Sequence, residues 1–146
     1  MKTSGTVSMI LGYKKSNLWS ISPDATVFEA IQMMADKDVG ALLVLANGKL
    51  QGVISERDYT RKVALKGLSS STTKVREIIS SPVISVGPNH SVEECMRLMT
   101  DNRIRHLPVL QAEAVIGIIS IGDLVNWTIS SQDSAIQQLE SYIAGM

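Results

Sequence analysis

Two Ser-x-x-Asp sequences, Ser55 with Asp58 and Ser120 with Asp123, are the places where this chain of 146 residues is best equipped for chemistry. Each follows an apolar run and falls where a strand gives way to a helix. A carboxylate at such a junction can accept hydrogen bonds from two hydroxyl groups. The serine hydroxyl and the unpaired backbone N–H groups of a starting helix can hold an anion. Ser-x-x-Asp is equally an ordinary N-cap arrangement, and the two uses are compatible. Arg105 and His106 add a planar fork of donors and a ring that titrates near neutral pH. A solvated strand end, or a His106 bonded to a backbone group, is the plainer reading of that pair. Arg57 is a further candidate for holding an anion, or one half of an exposed pair with Glu56.

The remaining reactive residue types offer little. Cys95 falls on the inward face of an amphipathic helix, as a small buried thiol would, and no neighbouring motif suggests an activated thiolate. His90 stands ahead of that helix, in an exposed position. Glycine-rich phosphate loops and H-E-x-x-H are absent from the sequence. One cysteine excludes an intrachain disulfide or a cysteine-rich zinc site, and two histidines leave little for a metal cluster. The 14 basic and 14 acidic side chains cancel, so no nucleic-acid footprint exists at whole-chain level. Aromatic residues, at 4%, are too few for a base-stacking platform. The longest apolar run, 41–46, is far shorter than a membrane span, and residues 1–15 lack the apolar stretch of a secretory signal. A soluble, cytoplasmic protein without membrane association is expected.

The elements that must position these residues come in duplicate. At an offset of 65 residues, 21–58 lies over 86–123 without gaps, with twelve identities in 38 positions. These include Pro23 with Pro88, Val27 with Val92, Met34 with Met99, Gly52 with Gly117, and both members of each Ser-x-x-Asp. A weaker echo sets Val7, Ile10 and Leu11 against Val75, Ile78 and Ile79. Thr26 with Glu29 and Ser91 with Glu94 have capping-box spacing, which predicts a helix start in each copy. Val27, Ala30, Ile31 and Met34 then share a helical face, as do Val92, Cys95, Met96 and Met99. Buried strands follow at 41–46 and 106–111, turn at Asn47-Gly48 or the poorer Ala112-Glu113-Ala114, and return over 49–55 and 115–120. Second helices are expected over 56–65 and 121–128, and short leading strands near 18–22 and 83–86. The organisation is therefore a first repeat at 7–66 with a leading helix, a linker at 67–74, a second repeat at 75–128, and a terminal amphipathic helix within 129–146.

This duplicated unit resembles the cystathionine-β-synthase (CBS) domain, and the two copies resemble a CBS pair, or Bateman module. The resemblance rests on Gly52-Val53-Ile54-Ser55-Glu56-Arg57-Asp58, on Gly117-Ile118-Ile119-Ser120-Ile121-Gly122-Asp123, on Arg105-His106-Leu107-Pro108-Val109 and on the Pro23 and Pro88 strand exits. It implies an α+β fold, strand-helix-strand-strand-helix twice, packed by pseudo-twofold symmetry in a stand-alone bacterial-type protein. It further implies an adenosine ligand such as AMP, ADP, ATP, NAD or S-adenosylmethionine in the cleft between repeats, and a homodimer.

On that resemblance, Asp58 and Asp123 are expected to hold ribose hydroxyls and Ser55, Ser120, Arg57, Arg105 and His106 to meet phosphate. Trp19 and its counterpart Ile84 flank the leading strands, where the family contacts the base; core packing is the plainer reading of both. Gly40-Ala41 stands in the first copy where Arg105-His106 stands in the second, so the two potential sites are expected to be unequal. The expected function is a non-catalytic adenine-nucleotide sensor whose arrangement a partner protein reads. A ligand-independent interaction module regulating an unidentified enzyme is the alternative, and a catalytic cofactor is not expected.

Overall fold

Each copy is organised by the caps that its sequence encodes. The computed structural model describes residues 5–14, 17–79 and 83–144, without the side chains at 134 and 135. Its elements are α1 (Val7–Tyr13), β1 (Ser20–Ile21), α2 (Val27–Lys37), β2 (Ala41–Ala46), β3 (Lys49–Ser55), α3 (Glu56–Tyr59), α4 (Val92–Asn102), β4 (His106–Gln111), β5 (Ala114–Ser120) and α5 (Ile121–Ala144). A π-helical turn, Thr60–Ala64, prolongs α3, and a 3₁₀ turn, Val75–Glu77, opens the second half. Thr26 and Glu29 close the expected capping box on α2, and Ser91 and Glu94 close it on α4. Both helices end on a left-handed residue, Asp38 and Arg103, at the same place in the repeat.

The sheets are near copies. In the first, β1 runs parallel to β2 and β2 antiparallel to β3; in the second, β4 pairs antiparallel with β5. The same register shift follows Val44 and Val109. The leading strand expected over 83–86 is reduced to a single parallel bridge between Val86 and Val109. In the first copy the Leu43 N–H donates to the Trp19 carbonyl at 3.1 Å. Leu43 corresponds to Pro108, which has no N–H to give to Ile84, so the ladder loses that rung.

Two cores form, and the leading segments are exchanged between them. Val7 and Ile10 of α1 are buried with Val92, Cys95, Leu107 and Ile119 of the second repeat. Val75 and Ile78 are buried with Val27, Ala30, Leu42 and Ile54 of the first. The backbone repeats this crossing. Val7 and Ser8 donate to the carbonyls of His90 and Pro88 at 2.9 Å each, and Val75 and Arg76 donate to those of Ala25 and Pro23 at 2.9 and 3.0 Å. Gly52 and Gly117 are glycines for one reason. A Cβ on Gly117 would come within 2.6 Å of Leu11, and one on Gly52 within 3.2 Å of Ile79. The faint echo between 7–11 and 75–79 is thus a pair of equivalent plugs, each inserted into the other copy. This pseudo-twofold exchange holds the faces of the two repeats together.

The second and terminal helices expected as separate segments are one. α5 runs unbroken over 24 residues, because no proline or glycine interrupts it after Gly122. Among the described residues, no helix is long and apolar enough to cross a membrane.

Candidate functional site

A cleft of about 460 Å³ lies where the two repeats meet. The first repeat lines it with Gly40, Val53, Ser55, Glu56, Arg57, Asp58, Arg61 and Lys62; the second contributes Val83, Ile84, Asn102, Arg103, Ile104, Arg105 and His106. Six of the nine residues singled out in the sequence therefore meet in one place: Ser55, Arg57, Asp58, Ile84, Arg105 and His106.

Each is fixed by local structure. Ser55 ends β3 and caps α3, its Oγ accepting the Asp58 N–H at 3.2 Å. Asp58 Oδ2 accepts from the Ser55 N–H at 2.9 Å and from the Ser55 hydroxyl at 3.0 Å, so the N-cap reading is correct. Asp58 Oδ1 faces the Lys62 ammonium at 3.3 Å. Lys62 also donates to the Ile78 carbonyl at 2.7 Å. The carboxylate thus spends one oxygen on the cap and turns the other to a cation. Arg105 is tied to α5 through its carbonyl, which accepts the Ile121 N–H at 2.8 Å. His106 begins β4 and is largely buried. Burial first, then the Lys14 ammonium, holds its pKa below the ordinary 6.5, against the opposing pull of Asp123 and Asp58.

Three of the expected residues lie elsewhere. Ser120 and Asp123 do form the second capping box, with Ser120 N–H donating to Asp123 Oδ2 at 2.8 Å. That same oxygen is taken by Lys14, whose Nζ lies 2.7 Å away and also donates to the Ile118 carbonyl at 2.9 Å. Asp123 therefore does not line the cleft; the chain's own ammonium faces it, and Ser120 stays with it as a cap. Trp19 packs against the first core with the Lys37 ammonium 4.3 Å over its ring, which is the packing role. Asp58 thus shares its cleft with basic residues of the second repeat, whereas Asp123 is paired with Lys14.

Sequence reasoning missed Arg61, Lys62 and Arg103. Two weak signals were present. Arg57 and Arg61 stand at helical spacing, as do Asp58 and Lys62, and Arg103 replaces the helix-ending Asp38 of the first copy. The π turn carries Arg61 and Lys62, and a widened turn of this kind has no sequence pattern of its own. The discarded nucleophile fares as expected: Cys95 is buried, and burial with nearby Glu94 pushes its thiol up to about 11. His90 is half-exposed, and its Nδ1 accepts the Gly87 N–H at 2.9 Å. Among the described residues, no group of three or more His, Cys, Asp or Glu side chains is arranged to hold a metal.

Comparison with known proteins agrees with the repeat. The family model of the CBS domain matches residues 12–65 and again 75–130. The chain is 43% identical over 133 residues to the CBS domain-containing protein CBSX3, mitochondrial, of Arabidopsis thaliana, covering 88% of this chain and 64% of the plant protein. It therefore spans just under two thirds of that relative's length. Among solved structures, a protein with CBS domains from Burkholderia ambifaria MC40-6 superposes with a TM-score of 0.84 at 45% identity, covering 88% of this chain and 96% of that one. The CBS domain protein PAE2072 from Pyrobaculum aerophilum, complexed with AMP, gives a TM-score of 0.71 at 28% identity, covering 81% and 88%.

Proposed function

The chain belongs to the CBS-domain family, and from that premise we propose that it is a non-catalytic regulatory module that binds an adenine nucleotide in the cleft and acts as a dimer. One observation carries this reading: a carboxylate and hydroxyl from the first repeat, Asp58 and Ser55, share a cleft with Ile84, Arg105 and His106 of the second. Asp58 Oδ1, once drawn from Lys62, accepts from ribose hydroxyls. Ile84 supplies an apolar wall for the base and a carbonyl that Pro108 leaves without its ladder donor. Arg57 and Arg105 meet phosphate. The AMP complex of PAE2072 supports an adenosine ligand for a cleft of this fold. Because both repeats line the cleft, a ligand there favours one arrangement of the two halves, by as much as its affinity differs between arrangements.

Thermal unfolding with AMP, ADP, ATP, NAD and S-adenosylmethionine tests this. A ligand at 100 times its dissociation constant adds about 2.7 kcal/mol, or roughly 5–10 °C for a chain of this size. The variant D58A is expected to lose most of the shift, while R105A loses part of it. No shift with any of the five at millimolar concentration contradicts the reading.

A second reading draws on α5. Ile129, Ile136, Leu139 and Ile143 are exposed along its outer half, as a surface made for protein contact would be. A ligand-independent interaction module would keep one oligomeric size with and without nucleotide, and light scattering distinguishes the two.

A further inference from the structure

The cleft is crowded with cations that have no anion. Arg57, Arg61, Arg103 and Arg105 all line it, and among the described residues none of the four forms a salt bridge. The carboxylates in the lining are Glu56 and Asp58, and Asp58 is already paired with Lys62. The guanidinium groups are close enough to oppose one another: Arg61 first, then burial, Arg105 and Arg103, hold Arg57 below the ordinary arginine pKa, against the opposing pull of Asp58. The molecule contains its own control for what packing requires. At the corresponding positions of the other half stand Gly122 for Arg57, Asn126 for Arg61, Asp38 for Arg103 and Gly40 for Arg105. The same fold is thus built with none of these charges. Arg103 is moreover held in a left-handed conformation, φ 54°, where its twin is an aspartate that tolerates the geometry better.

Four unpaired guanidinium groups exceed what one phosphate can use. A single phosphoryl group is satisfied by one or two bidentate arginines, whereas a di- or triphosphate offers oxygens along a chain. We infer that the cleft selects a ligand carrying at least two linked phosphoryl groups, at the level of a nucleoside diphosphate, a triphosphate or a dinucleotide pyrophosphate, over a monophosphate or a phosphate-free adenosine compound. This rests on the reading of the cleft as an adenine-nucleotide site. The phosphate chain itself could also come from inorganic polyphosphate, and the test separates the two sources.

Isothermal titration in magnesium-free buffer with adenosine, AMP, ADP, ATP, NAD, and inorganic pyrophosphate and tripolyphosphate decides it. ADP, ATP or NAD is expected to bind about tenfold or more tighter than AMP, the scale of one added charge-assisted contact. R61A and R103A alter exposed side chains and leave the core alone; each is expected to lower the ADP-to-AMP affinity ratio, and together they bring it toward one. AMP binding as tightly as ADP overturns the inference and leaves the adenine reading standing. Tripolyphosphate binding to which adenosine adds nothing keeps the inference and removes the adenine reading. Binding by none of the seven compounds removes both.

Discussion

Asp58 and Asp123 hold equivalent places in the two repeats, and their partners give them different work. Asp123 is half-buried against Lys14, the residue that ends α1 at the other end of the chain, so this pair acts as a clamp between α1 and α5. K14M and D123N are each expected to lower the unfolding free energy by about 1–2 kcal/mol. The double variant should lose less than the sum, and a urea-denaturation double-mutant cycle measures the coupling. Additive losses would show that the contact contributes nothing. His106 supplies a pH dependence. Burial lowers its folded pKa from 6.5, so below that pH the unfolded chain gains a proton that the folded one refuses. Stability should therefore fall as pH drops from about 6.5 toward the lowered folded value, and level off beneath it. Comparison with H106Q isolates this slope from that of the carboxylates, and an identical slope in both would contradict the assignment. Residue types announced six of the cleft's lining residues, Arg105 and His106 among them because the within-chain comparison marked that pair as unneeded for packing. Lys14 could not be foreseen, because 109 positions separate it from Asp123 and only the tertiary fold joins them.

At the scale of elements, local chemistry and tertiary demand are separable within one molecule. Both capping boxes were legible because cap and N3 residue sit three apart in sequence and satisfy one another. The lost leading strand of the second copy has its reason in Pro108, a residue read in sequence for its family motif rather than for its missing donor. The hairpins show the reverse: both copies make the same turn although the second lacks the residues for it. Asn47 and Gly48 take φ 53° and 77° at little cost, while Ala112 and Glu113 are forced to 51° and 69° by the ladder on either side. A112N with E113G should therefore stabilise the protein by about 1–2 kcal/mol, as left-handed strain is relieved. Thermal unfolding reads this directly, and no gain would mean that the strain is offset locally. The close approach of Leu11 to Gly117 predicts that G117A costs about 1–3 kcal/mol through overpacking. Adding L11A should recover part of that loss, and a double variant no better than G117A would place the strain elsewhere.

On the scale of the whole molecule, the duplication was plain in sequence, but the way its copies join was not. Read along the chain, α1 belongs with the first repeat and 75–79 with the second. In space each completes the other's core, because the echo between the two segments is a handful of apolar residues whose destination no pattern specifies. The boundaries that contiguity suggests therefore do not coincide with the units that bury apolar surface. A chain divided near residue 68 would leave one fragment without Val75 and Ile78 and the other without Val7 and Ile10. The fragments are expected to be unstructured apart and to recover helical circular dichroism when mixed, whereas two independently folded fragments would refute this. Reciprocal tucking of this kind predicts that neither half folds when grafted singly onto another host, because each carries the plug for a core it does not contain.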